Sequence, residues 1–384
     1  MAAGVDEAEA SRRPPFTQRL RPKAFGEWSE GARGTAGAVG VFLLSRFVTI
    51  LVGYTLVVLS PRSTLLEVLS LWDGEFYVRI AAAGYTGGAM TDAMAFFPAY
   101  PLAMRTVTAV SGASPALAGV ILSTAGGAAG VAVIWLLVRK LADALTASRT
   151  VVLVSFFPAA YVLSMVYPDG PFLFLAAATL LTLLDRRWVL AGVMAGMATA
   201  VRPNAVVLVL CCVWAGVGEF RRSRSPAPLL APLLAPLGGL LYAAYLWIET
   251  GTPLTFLRVQ EQTWGMRFDF GVSNAQMLLE FLRDPGGLHR FVAVALALAA
   301  PFAIYVLIRW RPPAVIAIYA VGIVALALLS SNTTSIVRFV MSAFPLLIPL
   351  ARRMSQITFA AIAATSAALM VSSFLFVGFL FLNP

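Results

Sequence analysis

Asp73 is a candidate general base, because it stands between aromatic residues shortly after the first long apolar run of the sequence. A carboxylate beside Trp72 and Phe76 could take a proton from a substrate hydroxyl as a new bond forms. Aspartate is also a favoured helix N-cap, so the residues alone leave a purely structural role open. The local pattern therefore predicts either a catalytic carboxylate or a helix start at Asp73.

Three arginines are candidates for binding a phosphate group. Arg46 stands inside an apolar run, Arg202 lies between two such runs, and Arg338 begins a third. A guanidinium without a nearby acid is costly in apolar surroundings, which marks such residues as functional candidates. Its planar fork of donors suits phosphate oxygens. For Arg46, pairing with backbone carbonyls or reaching towards the membrane surface is the alternative.

The segment 96–101 combines three aromatic residues, among them Tyr100, with two prolines. Prolines at this spacing predict that the segment is not a regular helix. It could form a rigid aromatic wall beside a groove for a sugar or a lipid. An aromatic belt at the membrane surface is the alternative interpretation.

A second aromatic group follows a helical spacing. Phe256, Gln260 and Trp264 recur every four residues, so they share one face of a predicted short helix. An amide between aromatic rings suits a sugar or a lipid headgroup. An amphipathic helix lying in the membrane interface is the alternative.

Two short turns carry further polar candidates for substrate contact. Asp169 stands between a proline and a glycine, which is a strong turn signal, and a plain tight turn is the alternative. Asn204 follows Arg202 and Pro203 in a second turn. We expect these turns to lie on the same side of the molecule as Asp73.

The elements that must position these side chains are membrane-spanning helices. Hydrophobic residues make up 60% of the 384 residues and charged residues only 12%, whereas soluble domains carry roughly 25% charged residues. The apolar runs approach the roughly 20 residues needed to cross a bilayer. We predict an all-α polytopic membrane protein with about eleven transmembrane helices. Their expected positions are 36–60, 114–138, 150–166, 171–184, 188–200, 204–218, 227–248, 291–308, 314–330, 339–350 and 355–381.

The basic residues predict the orientation of these helices. Arginines and lysines cluster before the first span and in the short turns that follow every second span, which is the positive-inside pattern. We therefore expect a cytoplasmic polar tail over 1–35 and one transmembrane domain over 36–384. The long segments 61–113 and 249–290 then face outwards. Since long ordered loops usually carry function, we predict an extracytoplasmic active site in the cell membrane.

Charge and motif content exclude several function classes. The net charge of +10 is spread over short clusters between apolar runs, so it indicates anchoring to membrane lipids rather than nucleic-acid binding. The single histidine, His289, excludes a site of several histidines, and no nucleotide-binding motif is present. An activated substrate must therefore arrive through the membrane, as a lipid phosphate. A transporter or flippase of lipid-linked sugars and a non-catalytic membrane scaffold are the alternatives.

Six motifs in order resemble the PIG-V family, the GPI mannosyltransferase 2-like enzymes, and in particular its bacterial members. The resemblance covers about residues 40–350. The matching positions are Trp72-Asp73-Gly74 with Tyr77, Phe97-Pro98 with Tyr100-Pro101, Tyr167 with Asp169 and Phe172, Arg202-Pro203-Asn204, Phe256 with Gln260 and Trp264, and Ser335 with Arg338-Phe339.

The resemblance implies a membrane glycosyltransferase of GT-C type. Such enzymes transfer a sugar, usually mannose, from a polyprenyl-phosphate donor and invert the anomeric configuration. It further implies that Asp73 is the catalytic carboxylate and that Trp72, Tyr77, Tyr100, Asn204, Gln260 and Trp264 contact substrate. Asp169 departs from the glutamate common at its position. The expected acceptor is a glycolipid or a protein. No cofactor is predicted, with a divalent cation bridging Asp73 and the phosphate as the alternative.

Overall fold

The computed structural model describes residues 25–59, 63–85, 88–284, 287–333 and 335–382. Over these residues the regular secondary structure is helical, apart from one isolated antiparallel β-bridge between Phe268 and Ser330. Residues 1–24, which make up most of the predicted cytoplasmic tail, lie outside the described residues. The first helix begins at Phe25, before the expected start of the first span at residue 36.

The α-helices follow one another along the chain. They are α1 (Phe25–Leu59), α2 (Leu65–Leu69), α3 (Asp73–Ala83), α4 (Ala99–Ser111), α5 (Pro115–Leu141), α6 (Ala144–Ser155), α7 (Asp169–Leu184), α8 (Trp188–Val201), α9 (Val206–Ser223), α10 (Leu230–Leu234), α11 (Leu237–Thr250), α12 (Thr255–Gln262), α13 (Val272–Arg283), α14 (Leu288–Trp310), α15 (Ala314–Leu328), α16 (Ile336–Ser342), α17 (Leu347–Arg353) and α18 (Gln356–Leu382). Short 3₁₀ helices cover Gly88–Ala95, Ala160–Ser164, Pro203–Ala205, Ala227–Leu229 and Phe344–Leu346.

Six helical stretches among the described residues are long and apolar enough to cross a membrane. They are Glu30–Leu59, Pro115–Leu141, Pro203–Ser223, Ala227–Thr250, Arg290–Trp310 and Gln356–Leu380. Four shorter apolar helices, α6, α7, α8 and α15, accompany them. With 16 residues, α7 extends over only about 24 Å, less than the roughly 30 Å hydrocarbon core. The polytopic helical prediction is thus confirmed, while the length of these helices leaves the number of full crossings a prediction.

Prolines interrupt several of the predicted spans. The expected span 339–350 is divided into α16, a 3₁₀ turn containing Pro345, and α17. The expectation that 96–101 is not helical is wrong for its second half, since α4 begins at Ala99 and includes Pro101. Proline is tolerated there because the first turn of a helix has no intrahelical partner for its N–H groups.

Helix α5 lies at the centre of the fold and packs against α1 and α7. The contact with α7 is close because it is built from glycines: a Cβ at Gly126 would lie 2.5 Å from the backbone nitrogen of Pro171. A Cβ at Gly170 would lie 2.1 Å from the carbonyl oxygen of Ser123. Close helix contact is what the small-residue run in α5 predicts. This contact fixes the N-terminus of α7, where Asp169 stands.

Candidate active site

A cavity of about 360 Å³ is lined by segments that are distant in sequence, from Asp73 to Phe339. Its wall is formed by the start of α3, residues 95–97, the break between α8 and α9, helix α12, and the stretches 266–268 and 330–339. Seven residues predicted from sequence line it: Asp73, Tyr77, Arg202, Asn204, Gln260, Trp264 and Arg338. Four others, Trp72, Tyr100, Asp169 and Arg46, are not part of its lining.

Asp73 is the first residue of α3, and its carboxylate is held by Arg338. The Nη1 of Arg338 donates a hydrogen bond to Oδ2 of Asp73 at 2.9 Å. The Asp73 side chain remains 29% exposed, so a substrate can still reach it. The N-cap position of α3 belongs to Trp72, and the carboxylate of Asp73 is directed to Arg338 instead. Asp73 is thus not the N-cap residue of α3, and its catalytic role stays a prediction.

Trp72 is the N-cap residue of α3 and directly precedes Asp73. Its backbone has φ 62° and ψ −120°, a conformation that residues other than glycine rarely adopt. Strain of this kind costs about 1–3 kcal/mol and is usually found at functional sites. The indole packs against the main hydrophobic core, which offsets that cost. Trp72 is not part of the cavity lining, and its predicted contact with substrate stays a prediction.

A second carboxylate–guanidinium pair lies beside the first. Nη1 of Arg202 donates to Oδ1 of Asp169 at 2.5 Å, and both side chains are buried. The Arg202 guanidinium also lies over the rings of Phe172 and Phe339, at 5.6 and 5.5 Å from their centroids. Arg202 has no acid nearby in sequence, but the fold supplies one from the N-terminus of α7.

Aromatic rings form the wall next to Asp73. Tyr77 packs edge-on against Phe96 and Tyr100, with ring centroids 5.1 Å apart in each pair. Tyr100 lies behind the wall, where its hydroxyl donates to the carbonyl of Gly119 at 2.8 Å. Burial raises the pKa of the Tyr77 phenol well above its usual value, and the charge of Asp73 adds to this shift. Tyr77 therefore faces the cavity as a neutral hydroxyl.

Helix α12 and the residues after it also line the cavity and contact these aromatic rings. Nε2 of Gln260 donates to the carbonyl of Ala95 at 3.5 Å. Trp264 lies edge-on to Phe76 and Phe96, with centroid distances of 5.2 and 5.7 Å. Phe256 also lines the cavity, as the four-residue spacing of these side chains predicts.

Arg46 lies apart from the cavity, in the interior of α1. Its guanidinium donates to the carbonyl of Ala160, and to that of Ser155 at 2.9 Å. Its Cζ also lies 4.8 Å from the centroid of the Phe42 ring. These contacts match the carbonyl-pairing alternative for Arg46. They do not bring it to the phosphate-binding arginines predicted with it.

Sequence reasoning missed the stretch that closes the cavity between α12 and α16. Backbone hydrogen bonds join Ser331 N to Arg267 O at 2.9 Å and Asp269 N to Leu329 O at 3.1 Å. This pairing places Arg267 and Phe268 on the rim, next to Ser330 and Asn332. In the sequence, the one indication of this rim was Arg267, which lies among aromatic residues in the long segment 249–290.

Four of the ten buried polar side-chain atoms without a hydrogen-bond partner among the described residues belong to residues that line the cavity. They are both amide atoms of Asn204, Nε1 of Trp264 and Nε of Arg338, and Oδ2 of Asp169, outside the lining, is a further one of the ten. Native proteins leave few buried polar groups without a partner. A polar ligand in the cavity could supply partners to the atoms on the lining residues.

The described residues contain no group of three or more histidine, cysteine or acidic side chains that could hold a metal ion. The prediction that the protein needs no cofactor stays a prediction.

The chain is similar to one family profile and to several solved structures of known proteins. The profile of a family described as dolichyl-phosphate-mannose-protein mannosyltransferase matches residues 96–242. The crystal structure of ArnT from Cupriavidus metallidurans bound to undecaprenyl phosphate is similar, with a TM-score of 0.52 and 14% identity over 88% of this chain and 62% of that one. The chain has a GT-C-like fold. The Archaeoglobus fulgidus oligosaccharyltransferase in the apo form gives a TM-score of 0.48 and 13% identity, over 88% of this chain and 56% of that one.

The similarity to ArnT confirms the predicted fold class. No curated protein sequence matches the chain significantly. The chain spans 62% of the length of ArnT, so it shares the membrane fold with only part of that protein. The matched range 96–242 includes Arg202 and Asn204 but neither Asp73 nor Arg338. The narrower resemblance to the PIG-V family stays a prediction.

Proposed function

We propose that the protein transfers a mannosyl residue from a polyprenyl-phosphate donor to a hydroxyl group of a glycolipid or protein acceptor. The observation that carries this proposal is the carboxylate of Asp73, which lies at the cavity and is held there by Arg338 at 2.9 Å. The family profile that matches 96–242 is described by a mannosyl-phosphate lipid donor. The resemblance to the PIG-V family and the undecaprenyl phosphate bound to ArnT support the same donor class.

The proposed reaction is a single displacement with inversion. The acceptor oxygen attacks the anomeric carbon, the bond from that carbon to the phosphate oxygen breaks, and polyprenyl phosphate leaves with the bonding electrons. Asp73 accepts the acceptor's proton as the new bond forms, which is general base catalysis. Arg338 keeps the carboxylate facing the cavity, so little reorganisation is needed when the acceptor arrives.

The charge of the cavity points to Arg267 as the main contact for the donor phosphate. Arg202 and Arg338 are each paired with a carboxylate. Arg267 also lines the cavity, and within the described residues it forms no ion pair. The nearby Asp269 accepts hydrogen bonds from the backbone N–H groups of Gly271 and Ser273. The Ser273 hydroxyl, these N–H groups and the charge of Arg267 lower the pKa of Asp269. Arg267 thus offers the positive charge that a phosphodiester needs.

We further propose that the site faces the extracytoplasmic side of the cell membrane, with the N-terminus in the cytoplasm. The distribution of basic residues supports this orientation. The exposed Phe268 and Phe270 lie next to Arg267, where apolar rings suit a prenyl chain entering from the lipid. The donor would then reach the cavity along the membrane, without passing through water.

The deciding experiment compares Asp73→Asn with Glu75→Gln. Both substitutions remove one negative charge from the first turn of α3, but Glu75 is exposed and does not line the cavity. Membranes containing equal amounts of each protein are given polyprenyl-phosphate [³H]mannose, and labelled lipid and protein products are measured. We expect Asp73→Asn to lower transfer by about 10²–10⁴-fold, the usual contribution of a general base, and Glu75→Gln to leave it unchanged.

Two outcomes would contradict this proposal in different ways. Equal labelling by wild type and Asp73→Asn would show that Asp73 is not the base. If wild type transfers neither mannose nor, from the corresponding donors, glucose or a pentose, the protein is not a polyprenyl-phosphate sugar transferase. Movement of intact donor across a vesicle membrane would then identify a flippase, which should not require Asp73.

A further inference from the structure

The side chain of Asn204 is buried at the cavity and makes no hydrogen bond to the described residues. Only 3% of the residue is exposed, and it lines the cavity from the 3₁₀ turn Pro203–Ala205 between α8 and α9. Neither its amide nitrogen nor its amide oxygen has a hydrogen-bond partner within the described residues. A buried polar group without a partner destabilises the folded protein. Such a cost suggests that another molecule supplies the partner.

The usual structural reasons for an asparagine in a turn do not apply here. An asparagine before a helix commonly caps it, but the N-cap of α9 is Ala205 and no side chain caps that helix. Asn274 differs in its amide nitrogen, which donates to the carbonyls of Leu328 and Ser330 and so ties α13 to the chain beyond α15, while its amide oxygen is also without a partner among the described residues. Asn204 has no such structural contact.

The chemistry of an amide and its surroundings indicates the ligand. An amide presents a donor and an acceptor side by side, which matches two neighbouring hydroxyl groups. Trp264, whose indole N–H is also without a partner, faces the same cavity together with Phe96 and Phe97. Aromatic faces beside a few polar groups suit a sugar ring, which has apolar C–H faces and a polar edge. The volume of about 360 Å³ lies within the range of small-molecule sites.

We infer that Asn204 binds two adjacent hydroxyl groups of the donor's sugar and thereby determines which glycosyl donor the protein uses. The inference rests on the proposed function, because only a donor brings a sugar into the cavity in every turnover, whatever the acceptor is. A substrate that lacks one of the two hydroxyls leaves the amide unpaired in a buried site, and such sites reject analogues strongly. Asn204 is therefore a specificity residue, whereas Asp73 performs the proton transfer.

The test measures kcat/KM for polyprenyl-phosphate mannose and for its 2-deoxy, 3-deoxy and 4-deoxy analogues. Wild type is compared with Asn204→Leu, which keeps the shape of the side chain and removes both polar atoms. Asn274→Leu is the matched control, since Asn274 does not line the cavity. We expect wild type to use at least one analogue about 10–100-fold less well than mannose. In Asn204→Leu this penalty should disappear, and in Asn274→Leu it should persist.

The ratio of the two substrates separates specificity from folding. A purely structural defect lowers kcat/KM for mannose and for its analogues by the same factor. Equal losses in Asn204→Leu would therefore overturn the inference and leave the proposed function intact. So would a wild type that uses all analogues equally well. A wild type that transfers no sugar would overturn the proposed function, and the inference with it.

Discussion

Arg202 and Asp169 form an ion pair that is almost closed to solvent, with 7% and 0% of their side chains exposed. Removing one member of such a pair leaves a buried charge without compensation, at a cost of about 3–5 kcal/mol. We expect Asp169→Asn and Arg202→Gln to lower the thermal stability of the detergent-solubilised protein strongly.

The exposed pair of Lys140 and Asp185 is the control for this prediction. Its side chains are 39% and 26% exposed, so Asp185→Asn should change stability by no more than about 1 kcal/mol. Replacing both Asp169 and Arg202 by leucine should cost less than the sum of the single changes. If Asp169→Asn is as stable as wild type but loses donor binding, Asp169 contacts substrate and the structural interpretation fails.

Arg267 should govern the affinity for the phosphate of the donor. We expect Arg267→Gln to weaken binding of polyprenyl phosphate by about tenfold or more, because a charge-assisted hydrogen bond contributes roughly 1.5–3 kcal/mol. Binding is measured by titration of the purified protein, without any sugar. Arg258→Gln on α12 removes an equally exposed arginine that does not line the cavity. If the two variants bind polyprenyl phosphate with equal affinity, Arg267 is not the phosphate contact, and Arg202 or Arg338 binds the phosphate instead.

Gly170 should tolerate no side chain, because a Cβ there would lie 2.1 Å from the Ser123 carbonyl oxygen in the packed contact of α5 with α7. We expect Gly170→Ala to destabilise the protein by about 1–3 kcal/mol and to lower transfer activity by moving Asp169. Gly37→Ala in α1 is the control, since no heavy atom lies within 4 Å of its added Cβ. Alanine in a helix interior should stabilise there slightly. Equal stability of both variants would mean that α5 and α7 pack less closely.

Arg46 should matter for folding and leave donor binding unchanged. Arg46→Leu removes the donor to the carbonyls of Ala160 and Ser155, which leaves both acceptors without that partner in the protein interior. We expect lower thermal stability and lower yield. The affinity for polyprenyl phosphate and the specific activity of the folded fraction should be those of wild type. If Arg46→Leu loses affinity for polyprenyl phosphate at unchanged stability, Arg46 binds the donor phosphate and this prediction is wrong.

The membrane class of the protein could be predicted because it depends on local composition. Long apolar runs indicate membrane helices, and six of the eleven predicted spans correspond to helical stretches of the described residues that are long and apolar enough to cross a membrane. Asp73 and Gln260 could be placed at one cavity because their motifs resemble those of a family. Helix α4 was missed over Ala99–Pro101, since proline breaks a helix only beyond its first turn.

The partners of the charged residues could not be predicted, because they depend on tertiary structure. Asp169 meets Arg202 across the helices α7 and α8, and the carbonyls that bind Arg46 stand more than a hundred positions further along the chain. Arg267 reaches the cavity only through the pairing of its stretch with Ser331. None of these contacts leaves a local pattern. The sequence therefore indicated which residue types were unusual, but not which carboxylate or carbonyl each arginine would bind.

The ion pair of Asp73 with Arg338 has a consequence for how the protein is made. The two residues are separated by 265 positions, so a ribosome adding roughly 5–20 residues per second completes Arg338 roughly 10–50 s after Asp73. During this interval Asp73 has no counter-charge, and its carboxylate must stay hydrated at the edge of the growing helical bundle. This ion pair is thus among the last contacts to form during biosynthesis, and a nascent chain released before Arg338 would lack it.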